Sequence, residues 1–261
     1  MVLGSSFQKQ TSAFAEADAE NFPSDAYKKL SSAASKTNAL SSSTAFSFLS
    51  YFMRANYKFN NKYLIALSGR YDGSSRFGTS NRYGFFPAGS VGWLLGEEKF
   101  LQDSRWINFL KLKASYGLTG NAEIPNFASR GLYSGNGGYG GIAGQRPDQI
   151  ENPDLKWETT AGSDFGFELS TFKNRIEIEF DYYTRNTRDL LLNVEIPGTS
   201  GFSTQFKNVG NLENKGFEIT LNTTNISSHD FRWTSSLNFA KNKNKITNLN
   251  GQILGTDVNK A

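Results

Sequence analysis

The chain has 261 residues, no cysteine, one histidine, and 28 basic against 24 acidic side chains for a net charge of +4. Disulfides, thiolate metal sites, iron–sulfur clusters and cysteine nucleophiles are excluded, and a lone His229 argues against multi-histidine metal sites and a Ser-His-Asp triad. The charge is too balanced for a nucleic-acid binder and no run nears eighteen apolar residues, whereas 14% aromatic residues and 25 glycines point to an all-β chain.

Met1 to Gln10 lacks a basic region leading into an apolar run, so no export signal is read there. A first strand is expected over residues 2–8 and a second over 46–59. Residues 9–45, rich in Ala and Ser around the segment 13–43, read as a loop insertion, in which Ser24 or Asp25 would cap a short helix running to Ser35. After them, alternation takes over. Tyr63, Ile65 and Leu67 share a face, as do Leu110, Leu112 and Tyr116, and Phe165, Phe167 and Leu169. The clearest case is residues 175–183, where Ile176, Ile178, Phe180 and Tyr182 oppose Glu177, Glu179 and Asp181. Phe217, Ile219 and Leu221 oppose Glu218, Thr220 and Asn222; Phe231, Trp233, Leu237 and Phe239 oppose Arg232, Thr234, Ser236 and Asn238. The expected strands, about ten residues or more, exceed the roughly 5–6 of ordinary globular strands.

The links carry a second pattern. Asn60-Asn61, 172–174 and 225–229 are short, whereas 72–82, 120–155 and 186–208 are long. If each strand reverses direction, the short ones fall at one end and the long ones at the other, with 96–108 the one exception in length. Short turns on one side and long loops on the other are the signature of a transmembrane β-barrel.

Five motifs then appear in order: RANYKFNNKYLIALSGRYDGSSRFGTSNRYGFFPAGSVGW at 54–93, LKLKASYGLTGN at 110–121, NPDLKWE at 152–158, DYYTRNTRDLLL at 181–192 and NVGNLENKGFE at 208–218. In this order the chain resembles the C-terminal half of the barrel of SusC/RagA-type TonB-dependent outer-membrane transporters of Bacteroidetes. The resemblance implies a partial transmembrane antiparallel β-barrel, about nine strands of a 22-stranded one, with residues 1–261 forming part of one barrel domain. It implies that 120–155 and 186–208 are extracellular loops, and that the plug domain and the C-terminal strands lie outside this sequence, which ends in the polar stretch 255–261. It also implies TonB-dependent uptake of oligosaccharides or peptides, no enzymatic activity, a location in the outer membrane, and a SusD-like lipoprotein and the TonB complex as partners. The competing readings are a soluble or surface glycan-binding β domain and a passive porin.

Candidate sites are few. Glu177, Glu179 and Asp181 have a spacing compatible with a hydrolase carboxylate pair, but a water-facing wall needs the same residues. The run GNGGYGG at 135–141 lacks a P-loop lysine, and DGSSRFG at 72–78 has turn chemistry and too few oxygen ligands for calcium. No catalytic, cofactor or metal residue is assigned. Tyr133, Tyr139 and Trp157, in or beside the long loop, are candidates for stacking on sugar rings. Strand-end aromatics such as Tyr57, Phe59, Tyr63, Trp93 and Trp106 suit the headgroup zone of a bilayer. Ile176, Ile178, Phe180, Phe217, Ile219, Phe231 and Trp233 are expected on the lipid side; Glu177, Glu179, Glu218 and Arg232 on the other.

Overall fold

In the computed structural model, residues 1–249 are described; the polar end 255–261 lies outside them. The strands are β1 (Val2–Glu20), β2 (Ser35–Phe59), β3 (Tyr63–Ser74), β4 (Tyr83–Leu94), β5 (Ile107–Asn121), β6 (Leu132–Ser134), β7 (Arg146–Gln149), β8 (Glu158–Thr171), β9 (Ile176–Arg188), β10 (Leu191–Glu195), β11 (Thr204–Asn208), β12 (Asn211–Ser227) and β13 (Arg232–Asn248). Nine of them form one sheet in the order β1-β2-β3-β4-β5-β8-β9-β12-β13. All its pairs are antiparallel, so the chain meanders without a crossover. The remaining four strands pair as the small hairpins β6–β7 and β10–β11, inserted in the two longest links.

The register sorts side chains by chemistry. Leu112, Phe167, Phe180 and Ile219 lie opposite one another on successive strands, and Ile219 faces Phe239. One pleat away, Lys111, Glu168, Glu179 and Thr220 line up on the other face. Because side chains alternate strictly, a shift of one residue would exchange the two rows, and the chemistry therefore excludes such a slip. The expected sorting holds for Ile176, Ile178, Phe180, Phe217 and Ile219 against Glu177, Glu179 and Glu218. At the start of β13, Trp233 stays on the face of Leu237 and Phe239, a bulge in β12 between Thr224 and Ile226 brings Ile226 opposite it, and Arg232 pairs with Ser227. Phe231 is a correction: it belongs to the turn before β13.

The apolar face has no second layer. Among the described residues only nine hydrophobic side chains are buried, while Leu67, Phe85, Val91, Phe165 and Leu237 are each more than half exposed. A soluble sandwich would cover that face with a second sheet. None is present among the described residues.

Links of three or four residues at 60–62, 172–175 and 228–231, with the longer 95–106, join the strands at one end. At the opposite end are 21–34, 75–82, 122–157 and 189–210. The tightest turn has a local cause: Asn60 and Asn61 both take positive φ, at 46° and 57°, a conformation asparagine tolerates.

The insertion expected over 9–45 is the main correction. The ladder continues from Lys9↔Ser47 to Glu20↔Ser35, leaving only 21–34 as a loop, and the helix reduces to a three-residue 3-10 turn at Leu30–Ser32. Small Ala and Ser side chains give no alternation to read, yet the backbone hydrogen bonds that hold a ladder need none. Since β2 pairs with β3 only from Phe48 onward, residues 35–47 form a two-stranded ribbon with β1 alone.

Candidate functional site

The polar face is a wall of ion pairs. Lys113 Nζ on β5 lies 2.7 Å from Glu179 Oε1 and 3.0 Å from Asp181 Oδ2, both on β9, and 3.7 Å from Glu168 Oε1 on the strand between. Lys111 also meets Glu168 at 2.8 Å. Nearby, Arg185 grips Asp164 through both terminal nitrogens at 3.0 and 3.2 Å, and the Ser115 hydroxyl donates to the same carboxylate at 3.1 Å. Two of the three hydrolase-like carboxylates, Glu179 and Asp181, thus share one ammonium. That arrangement braces neighbouring strands and presents no nucleophile with an attendant base.

At the long-link end, three links fold together into a cap. Phe77, Phe86, Ile124, Ala128, Leu155 and Trp157 form the buried cluster, with Phe48, Leu118, Leu191 and Phe206 packed against it. Trp157 is its centre: its ring lies 5.8, 5.0 and 5.2 Å from those of Phe48, Phe77 and Phe86, and its Nε1–H donates to the Arg82 carbonyl at 3.0 Å. Polar clamps tie the links together. Arg76 donates to Asn126 Oδ1 at 2.9 Å and the Ala122 carbonyl at 3.0 Å, with its guanidinium 4.1 Å from the centre of the Phe46 ring. Asn208 accepts from the Lys156 N–H at 2.9 Å and donates to the carbonyls of Lys156 and Asp189 at 2.7 and 2.9 Å. Asn152 reaches the Phe206 carbonyl at 2.7 Å. Gly78 passes so close to the Pro153 carbonyl that a Cβ would collide with it. The stretches 72–78, 152–158 and 208–211, separate in sequence, are therefore one assembly.

This relocates one candidate. Trp157 is 7% exposed and is a core residue, so it offers no face to a ligand. Its place among links had suggested accessibility, but those links turn inward. Tyr133 and Tyr139 are 71% and 90% exposed. Tyr139 and Ile142 exchange backbone hydrogen bonds of 3.1 and 3.0 Å across Gly140 and Gly141, whose φ values are +59° and +80°. The glycine-rich run thus makes a two-residue hairpin turn that needs left-handed backbone, with Tyr139 beside its tip. Asn208, Arg76 and Asn152 were missed at the sequence level, and isolated polar residues in turn-like stretches carry no signal of this bridging.

The short-turn end is edged by aromatic rings on the apolar face. Tyr57, Phe59, Tyr63 and Trp93 stack in series with centroids 6.5, 6.2 and 6.1 Å apart. Glu98, in the 95–106 link, accepts from Lys62 Nζ at 3.0 Å and from Tyr63 Oη and Trp93 Nε1 at 3.1 Å each. Lys62 first, then Trp93, and to a smaller degree Tyr63, hold its carboxyl below the ordinary value of 4.5 against an opposing desolvation.

A family profile described as "TonB dependent receptor-like, beta-barrel" matches residues 2–260. The chain belongs to that family. It is 42% identical over 254 residues to TonB-dependent receptor P26 of Formosa agariphila, a match covering 95% of this chain and 26% of that protein. It is 41% identical over 216 residues to TonB-dependent receptor SusC of Bacteroides thetaiotaomicron, covering 78% of this chain and 21% of SusC. Among solved structures, the RagAB peptide importer in its closed-closed state superposes with a TM-score of 0.89 at 34% identity, over 95% of this chain and 28% of that one. The ferric enterobactin receptor PfeA of Pseudomonas aeruginosa, at 20% identity and TM-score 0.55, shares the fold alone. The chain is thus of SusC/RagA type and spans about a quarter of the length of the curated relatives it matches. These relatives are named as receptors and importers, and none as an enzyme.

Proposed function

We propose that this chain forms part of the wall of an outer-membrane importer, with its apolar face against lipid and its polar face lining the lumen. The sorting of residues by face, with no second layer over the exposed apolar side, carries this reading. A 12-residue strand such as β3 is roughly 40 Å long at about 3.3 Å per residue, and a tilt near 40° brings that to about the 30 Å of a bilayer core. The short links face the periplasm and the cap faces outward, by the rule that barrels carry their long loops outside.

In this reading a plug domain fills the lumen and TonB, driven by the inner-membrane proton-motive force, displaces it, while a SusD-like lipoprotein closes the mouth. The polar wall offers paired charges and no reactive centre, which suits passage without covalent change. We assign oligosaccharides as the substrate class, with peptides as the second reading because of the likeness to the RagAB importer. Tyr133 and Tyr139, flat and exposed in the 122–157 link, are the residues we place against a sugar ring. The test is uptake of labelled oligosaccharides and oligopeptides by cells with and without the protein and with and without a protonophore. Energy-dependent uptake of one class supports import. Uptake indifferent to the protonophore supports the porin, and a protein that stays soluble without detergent and still binds the oligosaccharide supports the binding domain.

A further inference from the structure

The link 95–106 differs from the other links at its end in length and in where it lies. Its Glu98 carboxylate binds the polar atoms of Tyr63 and Trp93, two rings on the apolar face, so the link folds over the lipid side of the wall. Its far end is fixed as well. The Trp106 ring meets Phe172 edge-on at 5.1 Å, and the Trp106 carbonyl accepts from the Phe172 N–H at 3.2 Å and from the Thr171 hydroxyl. Gly96 runs hard against β5, its Cβ position 3.0 Å from the Leu110 nitrogen.

Between these anchors the link presents a mixed surface. Phe100 is 73% exposed and Trp106 is 64% exposed, although both ends of the link are held. Glu97, Lys99, Asp103 and Arg105 are exposed as well, and none of the four has an ion-pair partner among the described residues. Apolar rings beside charges of both signs, continuous with the aromatic row of a lipid-facing wall, match one kind of surface. Rings suit the acyl boundary, cations suit a phosphate, and carboxylates suit an ammonium.

We propose that residues 95–106 form a foot that binds the head group of an aminophospholipid. Phe100 and Trp106 rest at the acyl boundary, Lys99 and Arg105 take the phosphate, and Glu97 and Asp103 accept from the primary ammonium. The charge pattern selects a zwitterionic head group: a purely anionic lipid leaves both carboxylates unmatched, and a quaternary choline has no N–H to donate. The proposal rests on the membrane-wall reading above.

The test uses the protein purified from outer membranes and placed in nanodiscs. These 261 residues contain no cysteine; in a parent protein cleared of any other cysteine, Phe100→Cys and Ile178→Cys each accept one environment-sensitive label. The Phe100 label is expected to be quenched most by lipids spin-labelled near the head group, and the Ile178 label by lipids labelled deep in the acyl chain. In native mass spectrometry, phosphatidylethanolamine is expected to be retained over phosphatidylcholine, and Lys99→Gln with Arg105→Gln to weaken that retention about twenty-five-fold, roughly fivefold for each cation. Heat-modifiable migration confirms that the double variant is folded. If the Ile178 label is quenched and the Phe100 label is not, the foot is rejected while the barrel wall stands. If neither is quenched, the membrane reading falls and the foot with it. Equal retention of the two lipids, or retention unchanged by the double substitution, overturns the head-group assignment.

Discussion

Lys113 and Asp181 sit on strands that are not neighbours, yet their charged groups are 3.0 Å apart. The residue between them in register is Gly166, and a Cβ there would collide with the Asp181 carboxylate. The missing side chain lets one ammonium bridge β5 and β9 across β8. The two contributions separate by substitution. Lys113→Met removes the partly exposed ammonium shared by Glu168, Glu179 and Asp181 and should cost about 1 kcal/mol. Gly166→Val places atoms against both Asp181 and the Phe180 carbonyl, and should cost about 1–3 kcal/mol through overpacking. Heat-modifiable electrophoresis at graded temperatures measures both, and a larger loss in Lys113→Met would contradict this division.

A second prediction concerns the two faces of β9. Ile178→Arg places a charge in the apolar row near its middle and should cost about 2–4 kcal/mol, lowering the yield of folded protein. Glu179→Arg reverses a charge beside Lys113 on the polar face and should leave assembly intact. Folded protein recovered from outer membranes, compared between the variants, decides the point.

The cap makes the third prediction. Trp157→Ala empties the centre of the buried cluster and should cost about 3–5 kcal/mol locally, exposing the 122–157 link to proteolysis. Trp157→Phe keeps most of the packing but loses the hydrogen bond to Arg82, a loss of about 1 kcal/mol. Asn208→Ala removes three hydrogen bonds between links and should sensitise the same region. Tyr139→Ala should leave the protease pattern unchanged, since that ring is almost wholly exposed.

Glu98 gives a pH dependence of definite sign. Its folded pKa is depressed below 4.5, so its contribution is present above that value and is lost as pH falls through the lower folded pKa. Acidification through that depressed pKa should therefore release the 95–106 link from Tyr63 and Trp93, and Lys62→Gln, by removing the largest cause of the depression, should move the transition to higher pH. Tryptophan emission followed against pH, with Trp93→Phe as the control, reports it.

Much of the wall was legible because the two faces of its strands carry opposite chemistry. Residues 176–182 alternate so cleanly that the split between the two faces follows from the sequence alone. The ribbon of β1 and the start of β2 was not legible. Ala15, Ala17, Ser41 and Ser43 are small on a face that packs against nothing, so their strand leaves no chemical alternation. The cap was half legible. Apolar residues recurring in the long links, namely Phe77, Ile124, Leu155 and Trp157, are a sign that links pack inward. The same recurrence marks Trp157 as a core residue. The clamps made by Asn208 and Arg76 join segments about fifty residues apart, a proximity that exists only once the meander has formed.

Whether the apolar face meets lipid is the point on which the rest depends. Spin labels at Ile178 and Glu179, in the protein reconstituted in a bilayer, measure it through collision with oxygen, which concentrates in the acyl region, and with a water-soluble nickel chelate. The label at Ile178 is expected to collide with oxygen and to be shielded from nickel, and the label at Glu179 to show the reverse. Equal accessibility at the two positions, or the opposite order, would contradict a membrane wall with this orientation.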